Sequence, residues 1–275
     1  MKRVLASAAL VVLLCAGVLA AHPEAAVART PPRPAHVVIV VLENHSYSQV
    51  ANEPYLTSLR AKSAVMTNAH GVTHPSQPNY LALWAGSTLG VTDSSCPNTF
   101  AAESLGSQLL KSGRSVVGYS ESLPHAGYRG CRSGDYARKH NPLANFTSTR
   151  ASNRNQPFSA FPSDFTRLPR VALVVPNLQN DMHDGSVARG DAWLKTNIGP
   201  YATWALTHNS LLIVTWDEND GSSGNQILTL FAGQHVVAGR YDQYVNHYSV
   251  LHTVEAAFGL PALGVAARPI TNIWK

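Results

Sequence analysis

Leu211–Val214 (LLIV) runs straight into Thr215–Asp220 (TWDEND), and this passage from apolar to acidic decides how the chain is read. An earlier run, Val37–Leu42 (VVIVVL), ends in the same manner in Glu43-Asn44. Short Val- and Ile-rich runs bounded by polar clusters mark strands buried on both faces, as in a parallel sheet. In open α/β sheets the binding crevice lies beyond the carboxyl ends of the strands. Glu43, Asn44, Asp217 and Glu218 are therefore expected to project into one place, although most of the chain separates the two pairs. Three carboxylates and an amide there form a hard-oxygen set that suits a divalent cation. The plainer alternative makes each pair a polar strand end meeting solvent. Two pairs at matching strand ends weaken that alternative.

A third feature is His74-Pro75-Ser76-Gln77-Pro78-Asn79, which opens the apolar-periodic stretch Tyr80–Gly86. Proline is favoured in a first helical turn, where its missing N–H would have no intrahelical partner. Ser76 then stands just ahead of a helix, where free backbone N–H groups and the positive end of the dipole face an anion. Its hydroxyl can cap the helix. It can instead attack phosphorus, with the helix end and a nearby cation stabilising the charge that develops. Alongside the acidic set, the nucleophile is the better reading.

Around these motifs the chain alternates strand and helix. Strands are predicted at Val37–Leu42, Val65–Ala69, Ser115–Tyr119, Val171–Val175, Leu211–Thr215 and Ile227–Phe231. Helical patterns fall at Pro54–Lys62, Asn79–Gly86, Ala102–Lys111 and Asp191–His208, the last kinked at Pro200, with a C-terminal helix at Ser249–Phe258. This order predicts an α/β fold with a mainly parallel, doubly wound sheet. Residues 129–170, rich in Arg, Asn, Ser and Pro, read as a long loop or cap insert.

Met1–Ala28 has the form of a secretory leader: Lys2 and Arg3, an apolar run, then Ala26-Val27-Ala28 before Arg29. Cleavage there leaves residues 29–275 as a single domain in an oxidising compartment. An uncleaved anchor is the alternative, since the apolar run is at the short limit for a membrane span. The leader takes one of three cysteines with it. Cys96 and Cys131 remain and most simply form one disulfide, two free thiols being the alternative. Their spacing is unlike a compact zinc-ligand pattern. The formal charge of the whole chain is +5. Its basic residues are scattered apart from Arg129, Arg132, Arg138 and Lys139, which could steer phosphorylated substrates or anionic headgroups, or simply face solvent. No dense basic stripe or binding motif points to nucleic acid.

The motifs VLENHS (41–46), THPSQPNYLALWAGST (73–88), YARKHNP (136–142), PNLQNDMHDGS (176–186), VTWDENDGSS (214–223) and NHYSVLHTVEAAFGLP (246–261) together resemble the bacterial phosphoesterase family. That family comprises acid phosphatases and phospholipases C of the alkaline-phosphatase-like superfamily. The likeness runs in order from about residue 36 to the C-terminus. It implies a three-layer sandwich and one divalent metal, held here by Glu43, Asn44, Asp217 and Glu218. It selects Ser76 as nucleophile, two residues before a Pro-Asn pair, and makes Asn79, Asn44 and Asp184 candidates for holding the phosphoryl group. His140 and His183 become the phosphate-binding or proton-transferring histidines, an ordinary imidazole pKa near 6.5 suiting both tasks. His74 and His247 are weaker candidates. Glu218 stands where two-zinc members of the superfamily carry histidine, so one hard-metal site is implied, with calcium, magnesium and manganese all open.

The resulting expectation is a secreted, metal-dependent phosphatase working through phosphoserine. Its substrates are phosphorylated small molecules or phosphoinositide lipids such as phosphatidylinositol 3-phosphate, with peripheral membrane contact following from a lipid substrate. Phospholipase C is the alternative within the family. A secreted phosphate- or lipid-binding protein without turnover is the alternative from a different class.

Overall fold

The computed structural model describes residues 29–275, so the leader read in residues 1–28 lies outside the described residues. Eleven strands follow in chain order: β1 (His36–Leu42), β2 (Ala64–His70), β3 (Val116–Ser120), β4 (Arg132–Ser133), β5 (Tyr136–Ala137), β6 (Asn155–Pro157), β7 (Val171–Val175), β8 (Ser210–Trp216), β9 (Gln226–Gly233), β10 (Gly239–Tyr241) and β11 (Val245–Asn246). Nine of them build one sheet in the order β10-β2-β9-β8-β1-β7-β3-β6, with β11 also on β2. From β6 to β8 every pairing is parallel, and β9 runs antiparallel to both its neighbours. Every residue of β7 and β8 is buried, which is why these runs carry no polar alternation.

The helices are α1 (Tyr47–Val50), α2 (Pro54–Arg60), α3 (Ser76–Ala85), α4 (Leu105–Lys111), α5 (Pro142–Asn145), α6 (Val187–Asn197), α7 (Gly199–Ala205) and α8 (His247–Phe258). Among them α3 meets α4, α5 and α8, and α6 meets α2 and α7. The expected helix 191–208 is in fact two helices broken at Ile198, because the Pro200 ring cannot continue the preceding ladder. Both α3 and α8 end at glycines in the left-handed conformation, Gly86 and Gly259.

Two expectations need correction. Of the two readings of residues 129–170, a long loop or a cap insert, the loop falls: the segment carries the hairpin β4–β5, the helix α5 and β6, which extends the parallel sheet by pairing with β3. Short elements of two to four residues are too brief to show a period in sequence. Arg138, grouped with the steering cations, is buried. Its guanidinium donates to Asn145 Oδ1 at 2.8 Å, to the carbonyl oxygens of Asn98 at 2.6 Å and Ala144 at 3.2 Å, and to that of Arg129, so it staples this segment together. The Cys96–Cys131 disulfide, with Cα atoms 5.8 Å apart, joins the same segment to the loop after α3.

Candidate active site

Strands β1 and β8 are neighbours in register, Leu42 opposite Trp216, so Glu43 and Asp217 leave the sheet side by side. The Asp217 N–H still bonds the Leu42 carbonyl at 2.9 Å, while the Asn44 N–H turns to Asp217 Oδ1 at 3.1 Å. That turn puts Asn44 at φ 51°, a left-handed conformation that asparagine tolerates better than most residues. A Cβ on Gly71 would lie 2.8 Å from the Asp217 carbonyl oxygen, so only glycine lets the chain leaving β2 pass this closely. From there it enters α3, whose N-cap is Pro75 and whose first residue is Ser76.

Ser76 makes no capping bond. Its buried hydroxyl instead lies 3.0 Å from Glu43 Oε2 and 3.3 Å from Glu218 Oε1. A hydroxyl carries one proton, so it serves one carboxylate at a time. Asn79 Oδ1 accepts from the backbone of Val72 and Thr73, and its Nδ2 donates to Thr73 O at 2.8 Å and to Glu218 Oε2 at 3.2 Å. Asn79 therefore braces the loop ahead of Ser76 and holds Glu218. The loop after β8 is held in turn by Asp220, which accepts from Ser46 Oγ at 2.7 Å and Gln49 Nε2 at 2.8 Å.

The loop after β7 adds Asp181 and His183. Asp181 accepts from the His183 N–H at 2.8 Å and faces His140 Nδ1 at 3.3 Å. His140 Nε2 lies 3.3 Å from Glu43 Oε1. His183 Nδ1 is 2.6 Å from Asp184 Oδ1, and its Nε2 is 3.1 Å from the Lys139 ammonium. An ammonium can only donate, so Nε2 accepts and Nδ1 carries the proton shared with Asp184. Of the weaker candidates, His74 Nδ1 reaches Glu218 Oε2 at 3.0 Å, and the buried His247 Nε2 meets the Asp217 carbonyl oxygen at 2.5 Å.

Four carboxyl groups thus gather in a space that excludes water. Burial drives Glu43, Asp181, Asp217 and Glu218 above the usual carboxylate range, Asp181 pushing Glu43 further and Glu43 and Glu218 pushing Asp217. Burial also holds His140 well below the ordinary imidazole value, with Lys139 and His183 adding to the effect. Burial thus moves His140 away from the ordinary imidazole range assumed for it from the sequence. Buried charges need partners or cations, and Asp217 Oδ2 has no hydrogen-bond partner at all. With its amide oxygen inward, Asn44 sets that oxygen 3.1 Å from Glu218 Oε1 and 3.2 Å from Glu43 Oε2; turned over, it donates to both. The orphan oxygen, the mutual repulsion and the inward amide fit a hard cation. Among the described residues, Glu43, His140 and His183 also bring ligand atoms within 4.8 Å of one another.

Sequence reading did not single out Tyr80, whose hydroxyl donates to Glu43 Oε1. The available signal was its spacing: Ser76, Asn79 and Tyr80 stand at i, i+3 and i+4 on one helix face. Lys139 was read only as part of a basic loop group.

A serine hydroxyl at a helix start thus lies over buried carboxylates at the carboxyl edge of a mainly parallel sheet, and comparison with known proteins shows a hydrolase of phosphoester bonds. The pattern of the phosphoesterase family matches residues 47–261, and the chain belongs to that family. It is 48% identical to the phosphatidylinositol-3-phosphatase of Mycobacterium tuberculosis, across 100% of this chain and 96% of that one. It is 33% identical to an acid phosphatase of Aspergillus fumigatus over 82% of this chain but only 55% of the fungal protein, so it spans little more than half of that relative. Its fold is that of an alkaline phosphatase superfamily protein from Vibrio parahaemolyticus, at TM-score 0.59 and 13% identity over 85% of this chain and 68% of that one. The lipoteichoic acid synthase LtaP from Listeria monocytogenes shares it at TM-score 0.58 and 9% identity, over 89% and 76% of the two chains.

Proposed function

We propose that residues 29–275 form a single exported, metal-dependent phosphatase domain that hydrolyses phosphate monoesters through a phosphoserine at Ser76. The observation that carries this reading is the Ser76 hydroxyl, uncommitted to capping and 3.0 Å from Glu43 at the start of α3. Ser76 Oγ attacks phosphorus, and its proton has carboxylate acceptors at 3.0 and 3.3 Å. The bond to the leaving alcohol breaks, and the alkoxide takes a proton. Water then attacks the phosphoserine and frees Ser76. His183 suits the proton transfers, since Asp184 fixes Nδ1 and a phosphoryl group that draws the Lys139 ammonium onto itself would free Nε2 to exchange a proton. Lys139 beside it, Asn44 and the α3 N-terminus supply positive or donor groups for the phosphoryl oxygens.

Glu43, Asn44, Asp217 and Glu218 would hold one divalent cation, calcium, magnesium or manganese, which would neutralise phosphoryl charge and lower the serine pKa. His183 is the poorer ligand of the neighbouring group because its Nε2 already faces the Lys139 ammonium. Substrates are phosphorylated small molecules or phosphoinositides such as phosphatidylinositol 3-phosphate, supported by the mycobacterial relative. Peripheral membrane contact follows from a lipid substrate. Export is supported by the leader-like residues 1–28 and by the disulfide.

The test compares a phosphomonoester, phosphatidylinositol 3-phosphate and phosphatidylcholine as substrates, with and without chelator. Diacylglycerol as product would move the chain to phospholipase C. Ser76→Ala should abolish turnover yet still bind phosphate, and rapid acid quench of the wild type should trap phosphate on the peptide containing Ser76. An active Ser76→Ala enzyme, or label on a histidine, refutes the mechanism.

A further inference from the structure

Helix α3 touches all four oxygens of two acidic side chains. Ser76 reaches Glu43 Oε2 and Glu218 Oε1, Asn79 reaches Glu218 Oε2, and Tyr80 reaches Glu43 Oε1. Of the three helical residues only Tyr80 has a side chain that could be apolar without loss of packing. It is 1% exposed, and its ring stacks on His140 with centroids 5.3 Å apart and planes 13° from parallel. Phenylalanine would keep that stack. The hydroxyl adds one thing, a bond to Glu43.

We propose that Tyr80 is a positioning residue that turns Glu43 so that it presents Oε2 alone to the cation. This rests on the reading that Glu43 is a metal ligand. Tyr80 and His140 Nε2 both converge on Oε1, from the hydroxyl and from 3.3 Å respectively. Oε2 is left facing Ser76 at 3.0 Å and the Asn44 amide at 3.2 Å, on the side where Glu218 also lies. A glutamate has three rotatable bonds, and without the Tyr80 bond Oε1 keeps only the longer approach of His140, so the carboxylate is less restrained from swinging or chelating through both oxygens. Partners of metal ligands act in this way, and losing one typically weakens metal affinity by about 10–100-fold.

The experiment measures manganese binding to metal-free protein from the signal of free Mn²⁺ in electron paramagnetic resonance, for wild type, Tyr80→Phe, Tyr80→Leu and Glu43→Gln. Tyr80→Phe should bind about 10–100-fold more weakly than wild type, with kcat recovering at saturating Mn²⁺ because the reacting groups are intact. Tyr80→Leu should lose at least as much. Wild-type affinity in Tyr80→Phe, while Glu43→Gln loses binding, overturns the proposal and leaves the metal reading standing. A loss confined to Tyr80→Leu overturns it too, since ring packing would then be what matters. No uptake of Mn²⁺ by the wild type brings down both readings together.

Discussion

Asp217→Asn should make the metal-free protein more stable and the enzyme nearly inactive. Asp217 is fully buried; its Oδ1 accepts from the Asn44 N–H at 3.1 Å, and its Oδ2 has no partner. Burial, then Glu43 and Glu218, push its pKa well up, so holding it ionised near neutral pH opposes folding. Asparagine keeps an oxygen for the Asn44 N–H and puts an uncharged amide, a donor, in place of the orphan oxygen, removing the repulsion from Glu43 and Glu218. Leaving a buried polar group unpaired costs about 1–3 kcal/mol, and relieving that cost should raise Tm by roughly 2–4 °C for each kcal/mol in a domain of this size. The same change removes a proposed ligand charge, and loss of a key electrostatic group lowers kcat by ~10²–10³-fold. The assay is thermal unfolding in chelator at neutral pH, set beside metal content and turnover. In the presence of metal the order of stability should reverse, because the wild type gains ligand-binding free energy that the variant lacks. A variant less stable than wild type in chelator, or one with full turnover, refutes the reasoning.

Replacing Cys96 and Cys131 together should destabilise the protein by roughly 2–4 kcal/mol, as expected for a closed loop of this length. Unchanged denaturant midpoints would show that the bridge contributes nothing. Glu255, buried beside His252 on α8, has its pKa raised by burial from 4.5 to about 7. A carboxyl whose pKa is raised by folding favours the folded state below its unfolded pKa and loses that advantage as pH rises. Stability should therefore fall between pH 4.5 and about 7, and Glu255→Gln should flatten that part of the profile. An unaltered slope in the variant would place the pH dependence elsewhere.

Much of this protein is decided locally. The runs at Val37–Leu42 and Leu211–Val214 are strands because unbroken apolar residues, Val, Ile and Leu, bury both faces, and the polarity that follows each marks its carboxyl end. Chain direction alone then brings Glu43 and Asp217 to the same edge of the sheet. His74–Asn79 likewise carries its own instruction, since the prolines place the serine at a helix start. What needs three dimensions is adjacency and enclosure. Nothing local says that β1 lies between β7 and β8, or that Leu42 faces Trp216, and that register is what sets Asn44 against Asp217. Enclosure reverses two readings. Arg138 looks like one of a group of loop cations and His140 like an ordinary imidazolium for phosphate, yet the packed segment buries both, turning one into a staple and holding the pKa of the other well below the usual imidazole value. Tyr80 looks like one more core aromatic until Glu43 is seen beside its hydroxyl. A pattern along the chain records which face a residue takes; which charge it meets there, and how far water is excluded from the pair, is set by residues that fold in from elsewhere.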